Sequence, residues 1–466
     1  MPATKGKSKQ APAAAAPAPK EMAKIKNLVI VMMENRSFDH FLGSLSLAEG
    51  RKDVDGLTKP LPTLADSAGK QYTARDMGTT FAFPDPPHEF KPAHADWNGG
   101  KHDGFVKQYE AAHPPAKNPG IDLSVPLGYY TRATLPTLYA LADQFTLCDH
   151  WHSSVLSSTW PNRKYLHSGC RDADKDTQTL PPFPGFKTRP IWDFLEDEKD
   201  PDTKQRLTWK CYFTDLPFLS FWYTFAARHA LSNFHPILQF AEDCFADTLP
   251  TFSIVDPAFS VADDHPAYDP QLGEKWLALV IDALTVSEAW RHTALLLLYD
   301  ENGGFYDHVK PPPAAVARPD VAPEDDRLGF RVPAFVVSPY PVKGRAVKTV
   351  FDHTSLLRTI ASRWRIDFPP EFGARWRTMP DIWTDCFDFA APPLGPGIYT
   401  GQPLRDLNFS SGVQDRLQAP PPGFGGLLER IFLLPELKLL DRRAQVYEIL
   451  DGLETRVINM KRTIRS

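Results

Sequence analysis

The sequence predicts an α/β fold on a mostly parallel sheet, and three observations carry that prediction. Leu28-Val-Ile-Val-Met-Met33 and Ala294-Leu-Leu-Leu-Leu-Tyr299 are unbroken apolar runs, and Val332-Pro-Ala-Phe-Val-Val-Ser338 is a third. Runs without alternation suit strands buried on both faces, as in a parallel sheet. Between them the apolar spacing turns helical. Leu277, Val280, Ile281 and Leu284 recur within Gln271–Arg291, and Leu356, Leu357, Ile360 and Ala361 within Thr354–Trp364. Strands alternating with helices argue for an α/β sheet. Both strongest runs end in polar clusters, Glu34-Asn35-Arg36-Ser37 and Asp300-Glu301-Asn302-Gly303-Gly304. Ligands in such folds sit at the carboxyl ends of the strands.

In chain order, the first 24 residues are Ala, Pro and Lys with almost no large apolar side chain, and read as a disordered tail. They do not read as a secretory signal, since the Ala run is short and no Arg pair precedes it. The expected compartment is the cytoplasm, with export by a non-classical route as the alternative. Residues 25–420 form the main domain. Within it, Asp53–Gly128 is rich in Pro, Asp, His and Gly and reads as long loops over the active face. Leu216–Phe240 is rich in aromatic residues, and Phe252-Ser-Ile-Val255 is a weaker fourth strand. A Pro/Gly-rich stretch through Ala419–Gly426 leads to a helical extension, 421–466. There Leu439, Val446, Leu450, Leu453, Val457, Met460 and Ile464 form a coiled-coil-like stripe interrupted by Arg443. It predicts packing on the chain's own domain, or else a homo-oligomer contact.

Composition excludes several classes. With 52 Lys+Arg against 57 Asp+Glu the formal charge is −5, too acidic for phosphate-backbone binding, so no nucleic-acid partner is expected. The longest apolar runs fall far short of the ~20 residues of a membrane helix. The five cysteines lack a CxxC pair and read neither as a disulfide framework nor as a zinc site.

Glu34 and Asn35 offer two oxygen ligands for a hard cation at a strand end, although the pair alone also suits a turn. In Ser157-Ser-Thr-Trp-Pro-Asn-Arg163, Pro161 suits a helix start. Thr159 then stands at the entrance, where an anion is favoured, and Arg163 follows one turn on with a fork of donors for a phosphate. A threonine needs a base or a metal to act as nucleophile. Asp300-Glu301 at a buried strand end calls for a cation. His265, in Asp263-Asp-His265-Pro266, and His353, in Asp352-His353-Thr354, each precede a helix and fall at the same rim.

Met33-Glu-Asn-Arg-Ser-Phe-Asp-His-Phe-Leu-Gly43 resembles the opening motif of the bacterial phosphoesterase family of non-specific phospholipases C and related acid phosphatases. Thr159–Arg163, Asp264–Pro266, Asp300–Val309 and Asp352–Thr354 resemble its later blocks, in family order. The resemblance implies an alkaline-phosphatase-like, three-layer α/β/α fold. It implies a divalent metal (Ca, Mg, Mn or Zn) on Asn35, Thr159, Asp300 and Glu301, with Glu34 close by. It makes Thr159 the nucleophile, and gives His265 and His353 to substrate, leaving group or a second metal. His94 and His102 match a family loop near the site. Asn302 stands where members often carry His. Among the aromatic residues Trp222 is the expected pocket wall, since aromatic faces attract quaternary ammonium groups. The function expected is a metal-dependent hydrolase of phosphodiesters, with a small phosphoester or phospholipid head group as substrate and a phospho-threonine intermediate. The alternatives are an acid phosphatase acting on monoesters and a catalytically weak binding or effector protein.

Overall fold

The computed structural model describes residues 19–177, 181–266, 268–399 and 439–465. Among the described residues nine strands are present: β1 (Asn27–Met33), β2 (Thr63–Ala65), β3 (Gln71–Thr73), β4 (Thr146–Leu147), β5 (Trp209–Phe213), β6 (Phe234–Pro236), β7 (Phe252–Asp256), β8 (Thr293–Tyr299) and β9 (Ala334–Val337). Seven of them form one sheet in the order β4-β9-β8-β1-β7-β5-β6. Every residue of β7 and β8, and all of β1 after Asn27, is buried. Side chains alternate between faces along a strand, so burial at every position means that both faces are covered. The result is three layers, with the sheet in the middle.

The neighbours β8, β1, β7, β5 and β6 are parallel in turn. β9 runs antiparallel to both β8 and β4, which corrects its reading as one more strand of the parallel type. No helix lies between β8 and β9. A parallel neighbour needs a crossover, and without one the chain turns back beside the strand it has left.

Asp53–Gly128 is more ordered than its composition suggests. It holds the β2–β3 hairpin and the helices Phe90–Trp97 and Phe105–Ala112, with Phe105 and Tyr109 buried. The tail also ends earlier than expected: Pro19–Met22 is helical, Met22 is buried, and Lys24 donates to the Phe389 carbonyl at 3.1 Å. Residues 1–18 and the Pro/Gly-rich stretch lie outside the described residues. The helix Leu439–Arg465 packs on Ile237–Phe245 and Pro270–Thr285. Leu453 and Val457 are buried there, and Lys461 pairs with Asp282 at 2.6 Å, Lys275 with Glu454 at 3.3 Å, and Arg456 with Glu242. These two positions of the stripe are therefore covered within the chain. The side chains of Leu439, Val446, Leu450 and Ile464 lie outside the described residues. No helix among the described residues is long and apolar enough to cross a membrane.

Candidate active site

β1 and β8 are paired with Met33 opposite Tyr299, so Glu34 and Asp300 leave the sheet side by side. The Asp300 N–H donates to the Met33 carbonyl at 3.1 Å, and the Asn35 N–H donates to Asp300 Oδ1 at 2.8 Å. Asn35 holds a left-handed backbone, φ 58, which asparagine tolerates better than most residues. Gly303, at φ 61, passes so close that a Cβ there would lie 2.0 Å from the Asn35 carbonyl oxygen. Its N–H donates to Glu301 Oε2 at 2.6 Å, fixing that carboxylate.

Thr159 opens the helix Thr159–Ser168. The turn before it is wired by Asn162, whose side chain donates to the carbonyls of Ser157 at 2.8 Å and Ser158 at 3.1 Å and accepts from the Val155 N–H at 3.0 Å. The Thr159 hydroxyl consequently reaches Asn35 Oδ1 at 3.2 Å and Glu34 Oε2 at 3.4 Å. Thr159, Asn35, Glu34, Asp300 and Glu301 thus converge.

The charge in this cluster is unbalanced. Burial pushes the Glu34 carboxyl up to about 8, with Asp300 adding to the rise and Arg163 opposing it. Burial raises Asp300 and Glu301 as well. Among the described residues, Asp300 Oδ2 and Glu301 Oε1 are buried without a hydrogen-bond donor, and Glu34 Oε1 faces the Arg163 guanidinium 2.9 Å away. Three buried carboxylates, two of them with an unmatched oxygen, beside an amide oxygen and a hydroxyl, fit a hard divalent cation.

Arg163 is not free to receive a phosphate. It is fully buried, with Nη2 2.9 Å from both Glu34 Oε1 and the Met32 carbonyl and Nε 3.5 Å from Asp300 Oδ2. Its guanidinium lies over the Phe218 and Phe259 rings, 5.1 Å from each centroid. It holds the carboxylates in place from behind. His353 is likewise engaged within the fold. Its Nε2–H donates to the Asp300 carbonyl at 2.7 Å and its Nδ1 accepts from Trp151 at 3.3 Å, so both ring nitrogens are occupied. Burial pushes it down to about 4. As a neutral ring it braces the strand end.

His265 does reach the rim. It follows Asp264, whose left-handed backbone (φ 75) is fixed by Arg36 donating to its carbonyl at 2.6 Å and by Tyr299 donating to its carboxylate at 2.5 Å. The Glu34 N–H donates to the Asp263 carbonyl at 2.8 Å, joining this loop to the first. Beside His265 stands His88, with ring centroids 5.7 Å apart. His88 Nε2 lies 3.2 Å from Asn35 Nδ2 and 3.7 Å from Glu301 Oε1. Burial disfavours its charge, but Glu301 and Asp85 hold the imidazole up at about 10. Asp85, His88 and His265 bring their ligand atoms within 4.8 Å of one another, as a second cation site requires. Sequence reasoning missed Asp85 and His88. They lie in Asp85-Pro-Pro-His88, where proline-rich sequence carries no period to mark them.

The remaining candidates stand apart. His94 stacks on Phe90 and donates to its carbonyl at 2.7 Å within one helix. His102 is buried among Phe105, Tyr306 and Phe330 and bonds the Asp307 carbonyl. Neither has a described contact with Thr159, Asn35, Asp300 or Glu301. Trp222 is 2% exposed, donates to the Thr188 carbonyl at 2.7 Å and packs on Phe186 at 4.9 Å. It belongs to the core, so it is not a wall for a cationic head group.

The Asp300–Val309 loop has a second anchor that the sequence did not reveal. Arg331 bonds Asp307 at 2.8 Å and Asp39 at 3.2 Å, and His308 bonds Asp39 at 2.7 Å and Asp55 at 3.1 Å.

A model of the Phosphoesterase family matches residues 25–367. The chain is 32% identical to Phospholipase C B of Mycobacterium tuberculosis over 436 residues, covering 81% of this chain and 80% of that protein. It is 31% identical to Non-specific phospholipase C1 of Arabidopsis thaliana over 397 residues, covering 78% and 70%. Among solved structures, a protein in the alkaline phosphatase superfamily from Vibrio parahaemolyticus aligns with a TM-score of 0.36 at 12% identity, over 76% of this chain and 70% of that one.

Proposed function

This chain belongs to the phosphoesterase family of phosphoric-ester hydrolases, and from that premise we propose that it is a metal-dependent, phospholipase C-like phosphodiesterase working through a phosphorylated Thr159. The observation that carries the reading is the meeting of the Thr159 hydroxyl with Asn35 and Glu34 beside the buried carboxylates of Asp300 and Glu301, whose Oδ2 and Oε1 have no hydrogen-bond donor. A divalent cation held by Asn35, Thr159, Asp300 and Glu301, next to Glu34, would favour the ionised hydroxyl and neutralise developing negative charge.

The chain's own residues account for the rest. Thr159 supplies the oxygen that bonds phosphorus as the ester's alcohol leaves, and it is displaced when water attacks that phosphorus. The Asn162-wired turn holds that oxygen at the helix entrance, where the dipole favours an anion. Arg163 and His353 lock Glu34 and Asp300 in position from within the core. In this reading His88 and His265, 5.7 Å apart between ring centroids across the rim, would meet the ester and its leaving group. The names of the relatives support phosphodiesters over monoesters, whereas the buried Trp222 lends no support to a choline cage.

The test is kcat/KM for p-nitrophenyl phosphorylcholine against p-nitrophenyl phosphate, after exhaustive chelation and after adding back each of Ca, Mg, Mn and Zn. Metal-restored preference for the diester is expected. Preference for the monoester would favour an acid phosphatase, and absence of turnover with every metal would favour a binding protein.

A further inference from the structure

The five cysteines are free and buried, and two of them touch. Cys148 and Cys386 are 238 positions apart in sequence, yet their sulfurs lie 3.6 Å apart. The surrounding backbone fixes that approach. The Cys148 N–H donates to the Ala334 carbonyl of β9 at 3.0 Å. The Cys386 N–H donates to the Ile382 carbonyl at 3.0 Å, and its own carbonyl accepts from the Thr146 hydroxyl at 2.9 Å. Thr146 and Cys148 are two residues apart on extended chain, so their side chains share a face. Both meet Cys386, which is therefore positioned at two points.

We propose that Cys148 and Cys386 are a modification site: an oxidising thiol–disulfide couple such as oxidised glutathione converts them to an intrachain disulfide that clamps the segment around Cys386 to the sheet edge at β4. The thiolate of one cysteine attacks a glutathione sulfur, releasing one reduced glutathione and leaving a mixed disulfide. The second cysteine, as thiolate, attacks its own chain's sulfur and releases the second glutathione. Two S–H bonds are lost, one S–S bond forms, two protons leave, and oxidised glutathione takes both electrons. Burial and the neighbouring sulfur hold the Cys386 thiol well above its ordinary range, so the docked pair reacts slowly. The reaction proceeds when the edge opens locally or while the segment is still docking. Closing so long a loop removes much freedom from the unfolded chain, so the cross-link stabilises. The proposal concerns the scaffold and stands apart from the reading of the active site.

The full chain, purified under reductant, is exposed to oxidised glutathione in two ways: folded, and during refolding from urea. Thiols are then alkylated in denaturant and the peptides mapped by mass spectrometry. The expected result by the refolding route is a mass lower by two hydrogens, a peptide joining Cys148 to Cys386, and a Tm raised by several degrees that dithiothreitol reverses. Cys386→Ser should lose the cross-link and the Tm gain, whereas Cys211→Ser should keep both. Five alkylatable thiols after both routes, glutathione adducts without a cross-link, or a bond between other cysteines would overturn the proposal. A cross-link without a gain in Tm would overturn the clamp.

Discussion

At Thr159 a hydroxyl and a helix entrance coincide, and substitution separates their roles. Thr159→Ala should lower kcat by about 10³-fold or more. It should cost only ~1–2 kcal/mol of stability, the range for losing a side-chain hydrogen bond such as that to Asn35. Thr159→Ser should remain active, and a steady-state assay beside a thermal melt checks both. Asp300→Asn tests the cation. Its remaining amide oxygen can still accept from the Asn35 and Glu301 N–H groups at 2.8 Å, so the fold should survive. Metal content by elemental analysis and turnover should fall together. Gly303→Ala is the steric test, because a methyl 2.0 Å from the Asn35 carbonyl must displace the residue that orients Thr159. Activity should drop sharply with little loss of far-UV dichroism. The members of the candidate site that sequence reveals are those in short motifs at strand ends and helix starts: Glu34, Asn35, Thr159, Asp300 and Glu301, which the fold brings together. His88 was hidden because a proline-rich loop places it through long-range contacts. Arg163 and His353 were found, but their partners were not. Whether a guanidinium faces a substrate or two buried carboxylates depends on which side of the helix is covered, and that is settled by residues more than a hundred positions away.

Strands and helices followed the apolar pattern closely where burial is uniform. β1, β7 and β8 stand within one residue of the runs that predict them. The direction of β9 was not legible, since an apolar run has no polarity and the connection decides it. The aromatic stretch around Trp222 illustrates a second limit: exposed and buried aromatic residues look alike in sequence. Trp222→Ala should cost about 3–5 kcal/mol of stability, as expected for a large buried ring. The ratio of kcat/KM between the choline diester and the monoester should not change. A selective loss on the choline diester would show that the ring meets substrate after all.

On the scale of the whole molecule, the loops that carry the site are tied together by the Asp39–His308–Asp55 bridge. Burial opposes charge on His308, yet Asp39 raises its imidazole from 6.5 to about 9. A folded-state value above the unfolded one gives stability that is fully present below pH ~6.5 and is lost as pH rises through about 9. The contribution is about 1–2 kcal/mol after allowing for partial exposure. Melts from pH 6 to 10 should show that decline, and His308→Gln should flatten it. The place of β1 has a different kind of consequence. It lies near the start of the chain, at the centre of the sheet, and both its neighbours, β7 and β8, come more than 200 residues later. At a translation rate of ~5–20 residues per second, the strand Leu28–Met33 waits roughly 10–50 s outside the ribosome before a partner emerges. For that interval it is an unpaired apolar edge on a nascent polypeptide, the state most exposed to aggregation and most dependent on a holdase. A chain released before β8 is made has no means of closing its own sheet.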